Sequence, residues 1–158
     1  MTQQIVSDNT IVDAIKSLIE ANSDLYNSDI TNTTKANHVY DDPLRTEQTG
    51  AFNGYVEIIP PEEGTIEVDE DDEQSGGAET TVRDYKIIFT FKSAISTKTT
   101  LLAVPSNFRA AIIGAPTLST TGVKEAKVIS WGYNINVDQG KIVDQAIMDL
   151  RIITDEIY

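Results

Sequence analysis

The densest set of groups able to do chemistry is the run Val68-Asp-Glu-Asp-Asp-Glu-Gln-Ser75. Its carboxylates, Asp69, Asp71, Asp72 and Glu73 foremost, are hard oxygen ligands of the kind that hold Ca²⁺ or Mg²⁺. A helix–loop–helix calcium site needs glycine at its sixth position to make the sharp turn. Counted from Asp69, that position is Gln74, so the pattern breaks. Runs this acidic are ordinarily solvated surface. No metal or cofactor is therefore expected; were an ion held, these four carboxylates would be its ligands.

Other chemistry has little to work with. His38 is the sole histidine, too few for a His-rich metal site or a proton-relay pair, and is expected at a surface or strand end. There is no cysteine, which excludes disulfides, thiolate catalysis and Cys-ligated zinc. No phosphate-binding glycine loop, nucleophile elbow or zinc-binding helix motif occurs. Two carboxylates suited to glycoside hydrolysis exist in almost any acidic chain and so indicate nothing. Trp131 lies in an apolar strand pattern and is expected in the core or at a subunit contact. An enzyme is not expected.

Composition narrows the partners. The 158 residues carry 12 Lys and Arg against 25 Asp and Glu, a formal charge of −13. Such a surface repels phosphate backbones and anionic membranes. The opening MTQQIVSDNT has neither a basic nor an apolar leader region, and no apolar run approaches the ~20 residues that span a bilayer. Length and hydrophobic content suit one domain, residues 1–158, able to bury a core without staples.

The elements that would position any site follow from periodicity. Ile11, Val12, Ile15, Leu18 and Ile19 make one apolar stripe, predicting an amphipathic helix over 10–22, with Thr10 as cap and Asp13 three residues on, suited to the positive end of the helix dipole. Residues 27–36 read as a polar loop and His38–Tyr40 as a short strand. Residues 53–59 read as a strand closed by Pro60-Pro61. Residues 62–81 hold a dense acidic stretch ending near Gly76-Gly77, with no Lys or Arg between Arg45 and Arg83, and predict a long exposed loop. Tyr85, Ile87, Phe89 and Phe91 alternate, predicting a half-buried strand over 82–93 that pairs antiparallel with 53–59. Leu101, Leu102 and Val104 could continue a strand, while Pro105 suits the first turn of a short helix over Pro105–Ile113, burying Phe108 and Ile112. Lys127–Ile135 and Gln145–Ile153 form a hairpin pattern around Asp138-Gln139-Gly140. The expected class is α+β: a mainly antiparallel sheet packed by an N-terminal amphipathic helix and a second short helix, with a long acidic loop between two strands.

This order of elements resembles the tail-terminator family of long-tailed phages and related contractile particles. The likeness is carried mainly by Ser130-Trp-Gly-Tyr-Asn-Ile135, leading through Asp138-Gln-Gly-Lys141 to Ala146-Ile-Met-Asp-Leu-Arg-Ile-Ile-Thr154. The helix at Ile11–Ile19 and the strands at Tyr55–Ile59 and Tyr85–Phe91 fit the same order. The resemblance implies a homo-oligomeric ring, commonly hexameric, that caps the tail tube and joins it to the head connector or stopper protein. It implies a place in the virion neck, with assembly in the host cytoplasm. DNA would pass through without specific binding, and an acidic lumen would suit that passage. Alternatives are another head–tail connector or tail-completion subunit, or an acidic Ca²⁺- or ligand-binding module centred on Asp69–Glu73.

Overall fold

Strict alternation of apolar residues on two long strands sets the centre of the fold. A computed structural model describes residues 4–26, 39–40, 54–67, 78–92, 98–138 and 141–157. Strand β4 (Ala78–Lys92) pairs antiparallel with β6 (Lys141–Ile157) without interruption, from Ala78 opposite Ile157 to Lys92 opposite Val143. Opposed residues share a face, so Tyr85 and Leu150, Ile87 and Met148, and Phe89 and Ala146 enter the core as pairs. All six are buried.

On the outer side of β4, β2 (Gly54–Ile59) pairs antiparallel, as the alternation predicts. The short β1 (Val39–Tyr40) lies parallel beside β2, while His38 is outside the described residues. Pro60-Pro61 ends β2, but the chain returns to the same side of β4 as β3 (Thr65–Glu67). Residues 60–64 there span the interval that residues 83–85 span on β4. Proline has no N–H to give the ladder, so the break falls at Pro60-Pro61. Within the loop expected over 62–81, Thr65–Glu67 and Ala78–Thr81 are strand instead, because both segments pair in the sheet. The rest of the acidic run, including Asp69, Asp71, Asp72 and Glu73, lies outside the described residues.

The last hairpin joins β5 (Val123–Asp138) to β6, both longer than the sequence pattern predicts. The sheet order is β1-β2-β4-β6-β5, with β3 beside β4. The class is α+β with a mainly antiparallel sheet, as expected.

Among the described residues two helices cover one face. Helix α1 (Asp8–Glu20) buries Ile11, Val12, Ile15 and Ile19. Its cap is Ser7 rather than Thr10. Ser7 has the extended backbone a cap requires (φ −78°, ψ 155°), and its Oγ accepts a hydrogen bond from the Thr10 N–H at 3.2 Å. Thr10 is already inside the first turn, where Asp8, not Asp13, meets the positive end of the helix dipole. Helix α2 (Lys98–Gly114) is also longer than expected. Leu101, Val104, Phe108 and Ile112 recur at helical spacing and are buried, so the helical period runs upstream through Pro105, and Leu101–Val104 is helix rather than strand. Pro105 therefore sits inside the helix, leaving the Leu101 carbonyl without its usual donor. Phe108 meets Phe89 edge-to-face, with ring centroids 6.4 Å apart. The other face of the sheet carries half-buried Ile88, Ile147 and Ile153 among charges, and Arg151 there donates to both Asp84 carboxylate oxygens at 2.9 and 3.1 Å.

The turn from α2 into β5 is conformationally demanding. Leu118 and Ser119 have positive φ (52° and 49°), and Gly122 has φ 91°. A Cβ on Gly122 would lie 2.5 Å from Val6 Cγ2 and 2.9 Å from Gln4 Nε2. Gly122→Ala therefore combines a left-handed backbone penalty of about 1–2 kcal/mol with a steric clash. Denaturant unfolding should show the variant destabilised by at least that amount.

Candidate interaction surface

The surface best equipped to bind something is the outer strand β5 together with α2. Register along β5 shifts between Val128, opposite Leu150, and Ser130, opposite Asp149, leaving Ile129 as the extra residue. Such a bulge re-aims every side chain that follows it. Beyond it, Trp131 opposes Met148 and Tyr133 opposes Ala146, so both aromatics lie on the helix side of the sheet. An unbulged strand would turn them to the opposite face.

Helix α2 does not cover them. Trp131 is 51% exposed, Ile135 56% and, at the end of α2, Ile113 74%; Ile129, Tyr133 and Leu102 are also exposed. Trp131 is thus not the core residue that was one of its two expected roles. The Arg109 guanidinium lies 4.8 Å from the centroid of the Trp131 ring, a cation–π arrangement. The Tyr133 hydroxyl donates to the Leu102 carbonyl at 3.2 Å. These contacts fix both rings against α2 while keeping much of Trp131 and Tyr133 in water. Beside them lies a shallow cavity of about 120 Å³, lined by Arg109, Ile112, Ile113, Ala126, Lys127 and Val128. Exposed apolar patches of this kind mark interaction sites. A long edge strand also offers unpaired backbone groups to another chain.

A second cluster of polar groups lies at the far end of the sheet and is built inward. Arg83 contacts Glu156 at 2.6 Å and Asp8 at 3.3 Å, with the Arg83 and Glu156 side chains largely buried. Glu156 also accepts from the Val6 N–H at 3.3 Å and the Thr154 hydroxyl at 3.4 Å. Thr154 in turn is hydrogen-bonded to Thr81. The Tyr85 hydroxyl donates to Asp8. Burial, then the hydrogen bond and negative charge of Asp8, push the Tyr85 phenol well above its ordinary value, against the opposing influence of Arg83. The cluster ties the segment before α1 to β4 and β6. Its groups are satisfied by one another, so its role is to pin the sheet rather than to bind.

Among the described residues no group of three or more His, Cys, Asp or Glu is placed to hold a metal ion, and no helix is long and apolar enough to cross a membrane. The carboxylates Asp69, Asp71, Asp72 and Glu73 fall outside that set. Sequence comparison finds no match to known protein families or to characterised proteins. Sequence reasoning singled out Trp131 but not Arg109, Leu102 or Ile113. The helical spacing of Leu102, Arg109 and Ile113, on the side of α2 away from Phe108, was the available signal.

The Tyr85 linkage gives a signed prediction. Above pH ~10 the unfolded phenol ionises while the folded one retains its proton, so the unfolded state binds fewer protons. Stability then falls as pH rises beyond ~10. Tyr85→Phe should flatten that alkaline fall in a denaturant-midpoint series from pH 8 to pH 11. Separately, Arg83→Met leaves Glu156 buried without its cation and should cost on the order of 3–5 kcal/mol at neutral pH.

Proposed function

We propose that this chain is a structural virion protein, a tail terminator that forms a ring, caps the tail tube and joins it to the head connector. The observation that carries the reading is β5: a long outer strand whose exposed Trp131, Tyr133 and Ile135 are held on α2 yet left in contact with solvent. A subunit designed to be solitary blunts such an edge with charges, prolines or a covering element. A subunit of a ring needs it, because each copy must offer one surface to a different surface of the next. The order of elements around the final hairpin, similar to that of tail terminators, supports the same reading.

On this reading the partners are further copies of the chain, the tail tube protein below and the head connector or stopper above. DNA traverses the ring without specific contacts, since a net charge of −13 offers phosphates few cations. Light scattering coupled to size exclusion, with negative-stain imaging of the purified full chain alone and mixed with tail tubes, tests the proposal. Six-fold rings that seat on tube ends are expected. A monomer at tens of micromolar that ignores tail tubes would sink the reading, and twelve-fold rings would reassign it to a connector.

A further inference from the structure

Charge is divided sharply along this chain, and among the described residues the fold sets Glu62 and Glu63 on one flank of the sheet and Arg109, Lys124 and Lys127 on the other. Residues 46–82 contain eleven Asp and Glu and no Lys or Arg. Residues 85–137 contain six Lys and Arg and a single acid, Glu125. The acidic segment supplies β2 and β3, on the outer side of β4. The basic segment supplies α2 and β5, at the other end of the strand order. At the first edge Glu62 and Glu63 are exposed, and exposed Ile66 on β3 opposes the buried Thr81, which puts it on the helix side of the sheet. At the second edge exposed Arg109 and Lys127 line the shallow apolar cavity, and exposed Lys124 lies on β5 before Lys127; Lys127 opposes Arg151, so its stem leaves the edge strand on the face away from the helices.

We infer that the occupant of the α2–β5 surface is a second copy of this chain, presenting its β3 edge with the acidic Glu62 and Glu63 that precede it. Glu62 and Glu63 meet Arg109, Lys124 and Lys127, while Ile66 enters the cavity lined by Ile112, Ile113 and Val128. The match is complementary in both charge and polarity, and like charges set opposite each other would cost the contact several-fold in affinity or more. Strand sense agrees. With β3 antiparallel to β4, β4 to β6 and β6 to β5, copies related by rotation about an axis parallel to the strands bring β3 and β5 together running in opposite directions. The contact is heterologous, the kind that closes into rings rather than stopping at a dimer. This inference rests on the chain being self-assembling but not on its place in a tail.

Sedimentation velocity on four full-length proteins tests it: wild type, Glu62→Lys/Glu63→Lys, Lys124→Glu/Lys127→Glu, and the variant carrying all four changes. The third leaves the Arg109–Trp131 contact intact, and circular dichroism verifies folding of each. Wild type should associate, with a dissociation midpoint that rises as salt is added. Each two-site variant has two edges of one sign and should dissociate at a concentration at least about tenfold higher. An equimolar mixture of the two, and the four-site variant alone, should regain association. An oligomeric wild type whose association is unmoved by either variant overturns this contact while leaving self-assembly standing. So does loss in both variants without recovery in the mixture. A monomeric wild type overturns self-assembly and this contact together.

Discussion

The uninterrupted pairing of β4 with β6 is the constraint on which the rest of the structure depends. It fixes which residues of each strand share a face, and a slip of one position would exchange core and surface along both strands. Because Tyr85, Ile87 and Phe89 must face Leu150, Met148 and Ala146, the helices can pack on one side only. That leaves β2 and β3 to add on one flank and β5 on the other. The Arg83–Glu156 pair and the Thr81–Thr154 hydrogen bond sit at the end of this ladder, locking its register with polar groups where its apolar pairs run out.

The flanks differ in kind. Beside β4, two prolines interrupt the outer edge, and the strands on either side are short. Beside β6, β5 runs the length of its partner and is broken in register rather than in continuity. The extra residue at Ile129 is therefore the most consequential irregularity in the sheet. Upstream of it, Ala126 and Val128 serve the core. Downstream, the same face continues as an aromatic surface that α2 touches but does not cover. One strand thus works as core at its start and as an exposed face along its middle.

Much of the fold was legible in the sequence because alternation and helical spacing are local signals. The two long strands, the final hairpin and the α1 stripe follow directly from the placement of Ile, Phe and Tyr. What escaped was set by geometry rather than residue type. The cap passed from Thr10 to Ser7 because the backbone of Ser7, not its side-chain chemistry, is extended. Helix α2 ran through Pro105 because burial of Leu101 and Val104 on the sheet outweighed a missing hydrogen bond, a tertiary override of a local breaker. At the candidate surface Trp131 was conspicuous as a residue, but its face depends on a bulge that alternation alone does not reveal. Arg109 became relevant only when α2 brought it over the indole ring.

The hairpin and the central ladder also differ in how far apart in the chain their partners lie. Asp138 and Lys141 are opposed with two residues between them in the chain, whereas Ala78 must find Ile157. Closing short loops costs less entropy than closing long ones, and hairpins form within microseconds. That difference favours early pairing of β5 with β6, as a ribbon with two open edges. The arrival of β4 seals one edge with core-forming partners. Among the described residues no strand pairs with the other, so this ribbon keeps an open side in the folded sheet.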